Sequence, residues 1–172
     1  YAVAALHAAH KADVPVSDDL LAWTLSTVES EGIAGMVDKR DVPTLSDAQL
    51  HERYPERAEF DYFDAYRREW ADSKRRLRQV EDVLARIDAH PDSLAPLGRW
   101  LHDELPDNGR IMGAFMAETI DRELGRERLV NVVGDPFGFW RAYREAALKT
   151  HDRAFAPSEA TIRAIDAVES RY

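Results

Sequence analysis

Apolar side chains recur at steps of three and four along most of the chain, which is typical of amphipathic helices. The clearest run covers about residues 56 to 89, and we expect it to form one long helix. Its heptad spacing predicts a seam that packs along other helices of the chain. The seam consists of Phe63, Tyr66, Trp70, Leu77, Val80, Leu84 and Ile87. Because alternating patterns of strands are scarce, we predict an all-α fold of about seven to eight helices around the long central one.

A second helix with an aromatic face is predicted in the C-terminal half. Asp135 suits the N-cap position, and Pro136 suits the first helical position. The aromatic side chains that follow recur at steps of three and therefore share one face. We predict that this face packs against a helix that covers about residues 111 to 124. The residues concerned are Phe137, Trp140 and Tyr143 on one helix and Met112, Phe115 and Met116 on the other.

Length and composition narrow the classes of protein that need to be considered. With 172 residues, of which 45% are hydrophobic, the chain is expected to form a single helical domain over residues 1–172. The net charge of -9 argues against nucleic acid as a partner, and a basic run from Arg67 to Arg78 is balanced by acidic neighbours. The chain has no cysteine, which excludes thiolate metal sites. The sequence contains no run of 18 apolar residues, so we predict no membrane-spanning helix.

The stretch "ESEGIAGMVDK", residues 29–39, places two carboxylates and a glycine in a helical pattern. Steps of three lead from Leu25 through Val28 to Glu31, so we expect Glu31 to point into the domain and Glu29 to face solvent. An inward carboxylate is costly without a cation beside it. A glycine inside a helix costs about 1 kcal/mol relative to alanine. We therefore expect Gly32 to make room for a neighbouring helix and Glu31 to have a positive partner such as a metal ion.

Two histidines near the start of the chain are candidates for a metal site. His7 and His10 are three residues apart, which places them on one face of an Ala-rich helix. Two imidazoles at this spacing can hold a metal ion, although the commoner zinc pair is four residues apart. Two histidines on such a helix are also unremarkable without any metal, and both interpretations stay open from the residues alone.

These segments resemble known zinc peptidases. Glu31, Gly32, Ile33 and Ala34 match the Glu-Gly-x-Ala helix that supplies the third zinc ligand in gluzincin-type metallopeptidases. Residues 109 to 147 are similar to a family of helical zinc-dependent peptidases that are otherwise uncharacterised. The resemblance implies hydrolysis of a peptide or protein substrate by water bound to zinc, with Glu31 as a metal ligand. His7 and His10 are further candidates from their spacing, ranked well behind Glu31. Gly32 would then let this helix approach the metal-binding helix closely.

The chain departs from the gluzincin pattern because it contains no HExxH motif. Two explanations are compatible with this. The motif lies upstream of Tyr1, which we favour, so that the chain is the C-terminal part of a longer metallopeptidase-like protein. Alternatively, the chain is a degenerate relative that binds metal poorly or not at all. A function from another class is a non-catalytic helical interaction domain, which would use the heptad seam or an aromatic patch of Phe137, Phe139 and Trp140.

Overall fold

The computed structural model describes residues 16–151 and 155–171 of the protein, and within these ranges it contains eight α-helices and no β-strand. The fold is therefore all-α, as the sequence predicts. Short 3-10 turns precede three of the helices, at Val42–Thr44, Pro91–Ser93 and Pro106–Gly109. In chain order the α-helices are α1 (Val16–Asp38), α2 (Asp47–Arg53), α3 (Arg57–Ala89), α4 (Leu94–Glu104), α5 (Arg110–Leu124), α6 (Arg126–Val130), α7 (Pro136–Lys149) and α8 (Glu159–Glu169).

Helices α1 and α5 form the most closely packed pair of the domain, and two glycines meet where they cross. A Cβ atom on Gly32 would lie 2.4 Å from the carbonyl carbon of Gly113, and one on Gly113 would lie 2.0 Å from the backbone oxygen of Val28. Neither position can therefore accept a side chain without moving a backbone. Gly32 does make room for a neighbouring helix, but that helix is α5, which corrects the expectation of a metal-binding helix.

The long helix α3 covers the predicted range and packs along α5 and α8. Five positions of the predicted seam are buried, and Phe63 and Trp70 are half-buried against the same cores. The one polar position in the seam, Ser73, is also buried, and its hydroxyl donates to the backbone oxygen of Glu69 at 3.2 Å. The prediction of a buried seam along the long helix is confirmed.

The aromatic helix α7 begins as its sequence indicates. The Asp135 carboxylate accepts a hydrogen bond from the backbone N–H of Gly138 at 2.8 Å, and Pro136 is the first helical residue. Trp140 and Tyr143 are only 1% exposed and lie in the core between α7 and α5. The predicted packing is confirmed. Because the seam and this aromatic face are both inside the fold, neither is available to a protein partner in this structure.

The basic run on α3 forms ion pairs with acidic side chains of the same surface. Arg67 donates to Asp64 at 2.8 Å, and Arg76 donates to Glu69 at 2.8 Å. Arg68 is also paired with Asp64. The positive charges of this run are thus balanced by neighbouring carboxylates, as the alternating charges indicate. Among the described helices, none is both long and apolar enough to cross a membrane.

Candidate functional site

The orientations of Glu29 and Glu31 are the reverse of those expected from the sequence. Glu29 is 1% exposed, whereas Glu31 is exposed. The expectation failed because the buried stripe of α1 continues from Val28 by a step of four, to Gly32, and not by a step of three. Each residue of an α-helix turns by about 100°, so Glu31 lies one position off this stripe and is exposed. The prediction that Glu31 points into the domain is therefore wrong.

Glu29 has a structural partner far along the chain. Its Oε1 atom accepts a hydrogen bond from the backbone N–H of Gly134 at 2.9 Å, in the turn between α6 and α7. Its Oε2 atom has no hydrogen-bond partner among the described residues. Burial raises the pKa of Glu29, and the nearby charge of Asp135 adds to this, while the Gly134 hydrogen bond opposes it. Glu29 thus anchors a turn, and no local sequence signal indicates this contact across 105 residues.

Glu31 lines an open cleft on the outer side of α1, with a volume of about 300 Å³. The wall from α1 consists of side chains that recur at helical spacing, and the opposite wall comes from the turn before α5 and the first residue of that helix. Glu31 forms no hydrogen bond or ion pair with the part of the chain that the structure describes. We call this the first cleft; it is lined by Trp23, Thr27, Ser30, Glu31, Asp107, Asn108 and Arg110.

An unusual turn builds the opposite wall of the first cleft. Asp107, Asn108 and Gly109 all have positive φ angles, of 51°, 52° and 77°. Asp and Asn tolerate this left-handed conformation better than most residues, and glycine adopts it freely. At Gly109 there is also no room, because a Cβ atom would lie 2.7 Å from Val28 Cγ2. The turn therefore fits tightly over α1, and its Asp107 and Asn108 line the same cleft as Glu31.

Arg110 supplies the positive charge of the first cleft. Its Nη2 atom donates to Asp107 Oδ2 at 2.6 Å and to the Tyr62 hydroxyl at 3.4 Å. Burial lowers the pKa of Arg110, but Asp107, Tyr62 and Glu31 together raise it above its usual value, so the guanidinium stays charged. Sequence reasoning missed this residue, although the turn signal "LPDNGR" marks its position at a helix start.

A family model described as "Putative zinc dependent peptidase (DUF5700)" matches residues 4–152 of the chain. The chain belongs to this family. The match covers the residues of the first cleft and the whole of α3 and α7. The resemblance drawn from Glu31–Ala34 and from residues 109–147 is to the same family. Neither a curated protein nor a solved structure matches the chain.

The described residues do not form a zinc centre of this family by themselves. In the part of the chain described, no group of three or more His, Cys, Asp or Glu side chains is placed so that it could hold a metal ion. Two carboxylates line the first cleft, and one of them, Asp107, is paired with Arg110. His7 and His10 lie outside the described residues. Glu31 is thus the one accessible, unpaired carboxylate that the described residues place in this cleft.

Proposed function

We propose that the intact protein is a zinc-dependent peptidase and that this chain contributes Glu31 as one of the metal ligands. The observation that carries the proposal is the position of Glu31, which stands in an open polar cleft in a chain of a family described as zinc dependent. Among the described residues the exposed Glu31 carboxylate has no ion-pair partner, so within that part of the chain its lone pairs are open to a ligand.

The remaining ligands would come from outside the described residues. His7 and His10 are candidates within the chain, and an HExxH helix in a preceding segment is the other source, which would make this chain the C-terminal part of a longer protein. Either source would have to supply histidines at the outer side of α1, where Glu31 is accessible. Three protein ligands with one open coordination position are the usual arrangement of catalytic zinc.

Other side chains of the first cleft are suited to holding a polar substrate. The hydroxyls of Thr27 and Ser30 donate to the backbone oxygens of Trp23 and Ser26, at 3.0 Å and 2.9 Å, and retain lone pairs that can accept from a peptide N–H. Asn108 adds both a donor and an acceptor. The substrate class that this lining favours is a peptide main chain.

The proposal is tested with the intact protein and two isosteric substitutions. Glu31→Gln removes the charge of the candidate ligand, and Glu52→Gln is the control, because Glu52 is exposed on α2 and lies outside the first cleft. We expect Glu31→Gln to weaken zinc binding by more than about 10-fold and to abolish peptide hydrolysis, while Glu52→Gln changes neither. Stoichiometric zinc together with full activity in Glu31→Gln would contradict the role of Glu31. A wild-type protein without zinc or hydrolysis would contradict the function itself.

A further inference from the structure

A cavity of about 190 Å³ lies between α3, α5 and α7, and it shares no lining residue with the first cleft. All three helices contribute side chains to it, and the chain that follows α7 adds two more. We call it the aromatic cavity; among the described residues it is lined by Lys74, Phe115, Thr119, Arg122, Tyr143, Ala147, Thr150 and Phe155. It is therefore a separate candidate site, and an inference about its ligand does not depend on the proposed function.

The aromatic cavity has a buried inner end and accessible walls. Thr119, Tyr143 and Ala147 are buried, whereas Phe115 and Phe155 are half-buried and expose part of their rings. An apolar cavity of about 150 Å³ is large enough to hold one benzene molecule. The aromatic cavity is somewhat larger, so it can take one aromatic ring with a short substituent. Its volume excludes ligands as large as a nucleotide.

Both charged residues that line the aromatic cavity are cations. Lys74 is half-buried, Arg122 is exposed, and no carboxylate is among the described residues of the lining. Arg122 donates to Glu118 at 2.7 Å and to Glu123 at 2.8 Å, and neither acceptor lines the cavity. A guanidinium has five N–H donors and an ammonium has three, so one or two partners do not exhaust either group. The cavity thus combines an apolar interior with cationic donors at its accessible side.

We propose that the aromatic cavity binds a small aromatic carboxylate, with its ring against Phe115 and Ala147 and its carboxylate at the mouth, where Lys74 and Arg122 donate to it. Burial of the ring removes apolar surface from water, and an aromatic ring can make an offset or edge-to-face contact with Phe115. Hydrogen bonds from a cation to a carboxylate are about twice as strong as those between neutral groups. The carboxylate therefore decides between this class of ligand and a neutral aromatic molecule of the same shape.

Binding is measured with the intact protein in the presence of a chelator and about 150 mM salt, so that neither zinc nor long-range charge decides the result. The probes are phenylacetate, its neutral amide phenylacetamide, and acetate. They are followed through the methyl signals of Ala147 and Thr150 in ¹H–¹³C NMR spectra. We expect phenylacetate to shift both signals with a Kd of about 0.1–5 mM. Phenylacetamide should bind about three- to tenfold more weakly, and acetate should shift neither signal. The methyl signal of Thr27, in the first cleft, should not move.

Three substitutions that each remove one positive charge separate the direct contacts from general electrostatics. Lys74→Gln and Arg122→Gln should each weaken phenylacetate binding about three- to tenfold and leave phenylacetamide binding unchanged. Arg75→Gln is the matched control, because Arg75 is exposed on α3 and does not line the cavity. It should change the binding of neither probe.

A change of size tests the position of the ring. Ala147→Leu places a larger side chain at the inner end of the cavity and should abolish binding of both aromatic probes. Leu148→Phe, at the exposed neighbouring position of α7, should preserve it. If circular dichroism shows that Ala147→Leu does not fold, the shifts of the Ala147 and Thr150 signals in the wild-type protein decide the position of the ligand.

Several outcomes would overturn the proposal. Methyl signals that phenylacetate does not move at about 20 mM would contradict the site. So would phenylacetate binding that survives in a folded Ala147→Leu protein. Equal binding of phenylacetate and phenylacetamide by the wild-type protein would contradict the role of the carboxylate, as would an equal loss of phenylacetate binding in Arg75→Gln, Lys74→Gln and Arg122→Gln.

Discussion

Glu29 and Glu31 lie two residues apart on α1, and their side chains point in directions that differ by about 200°. The inner carboxylate is buried, accepts a hydrogen bond from one backbone N–H and lies near the charge of Asp135; burial and this charge raise its pKa and favour its neutral form. The outer carboxylate lines a polar cleft together with Arg110 and forms no hydrogen bond or ion pair with the described residues. Glutamate thus has a structural role at position 29 and a candidate functional role at position 31. The side of the helix on which each residue lies decides between the two roles.

The protonation of Glu29 links folding to pH. Because burial raises its pKa above the usual 4.5, the folded protein retains a proton that the unfolded chain releases, and stability falls as pH rises above about 4.5. Glu29→Gln cannot lose this proton, so its stability relative to the wild type should increase as pH rises. Urea unfolding of both proteins between about pH 4 and about pH 8 measures the difference. Glu52→Gln serves as the control, and a Glu29→Gln difference that is flat or falls with pH would refute this assignment.

Among the elements, the crossing of α1 and α5 depends most on small residues. Gly32 and Gly113 bring the two backbones into contact, and α5 then carries the turn with Asp107 and the side chain of Arg110 to the first cleft. The closeness of the two helices is therefore what sets the position of Arg110 relative to Glu31. A change at the crossing would alter both the stability of the domain and the shape of the cleft.

Three alanine substitutions test the crossing. Gly32→Ala and Gly113→Ala each force a Cβ atom into a backbone and should lower the free energy of unfolding by about 2–3 kcal/mol or more. Gly35→Ala is the matched control on α1, because its Cβ atom would meet only ordinary contacts of 3.6 Å and 4.0 Å. It should be neutral or stabilising by up to about 1 kcal/mol, since alanine favours the helix. Equal effects at Gly32 and Gly35 in urea unfolding would show that the crossing is not close-packed.

At the scale of the whole molecule, the parts of the fold that follow from local patterns could be predicted, and the parts that follow from distant contacts could not. The extent of α3 and the start of α7 depend on periodicity and on caps that lie next to each other in sequence. The hydrogen bond between Glu29 and Gly134 and the placement of Glu31 and Arg110 in one cleft depend on how helices pack. The sequence does not decide whether the buried stripe of α1 continues three or four residues after Val28. This one choice reverses the predicted orientations of Glu29 and Glu31.

The position of Glu31 in the first cleft and the family membership are the basis of our proposal that a zinc ion lies on the outer side of α1. The direct measurement is zinc-edge anomalous diffraction from crystals of the intact protein grown with zinc. We expect an anomalous peak in the first cleft, about 2.0–2.2 Å from a carboxylate oxygen of Glu31 and on the same side of α1 as Arg110. A zinc peak at a site to which Glu31 does not contribute, or no peak at all, would contradict the assignment of Glu31 as a metal ligand.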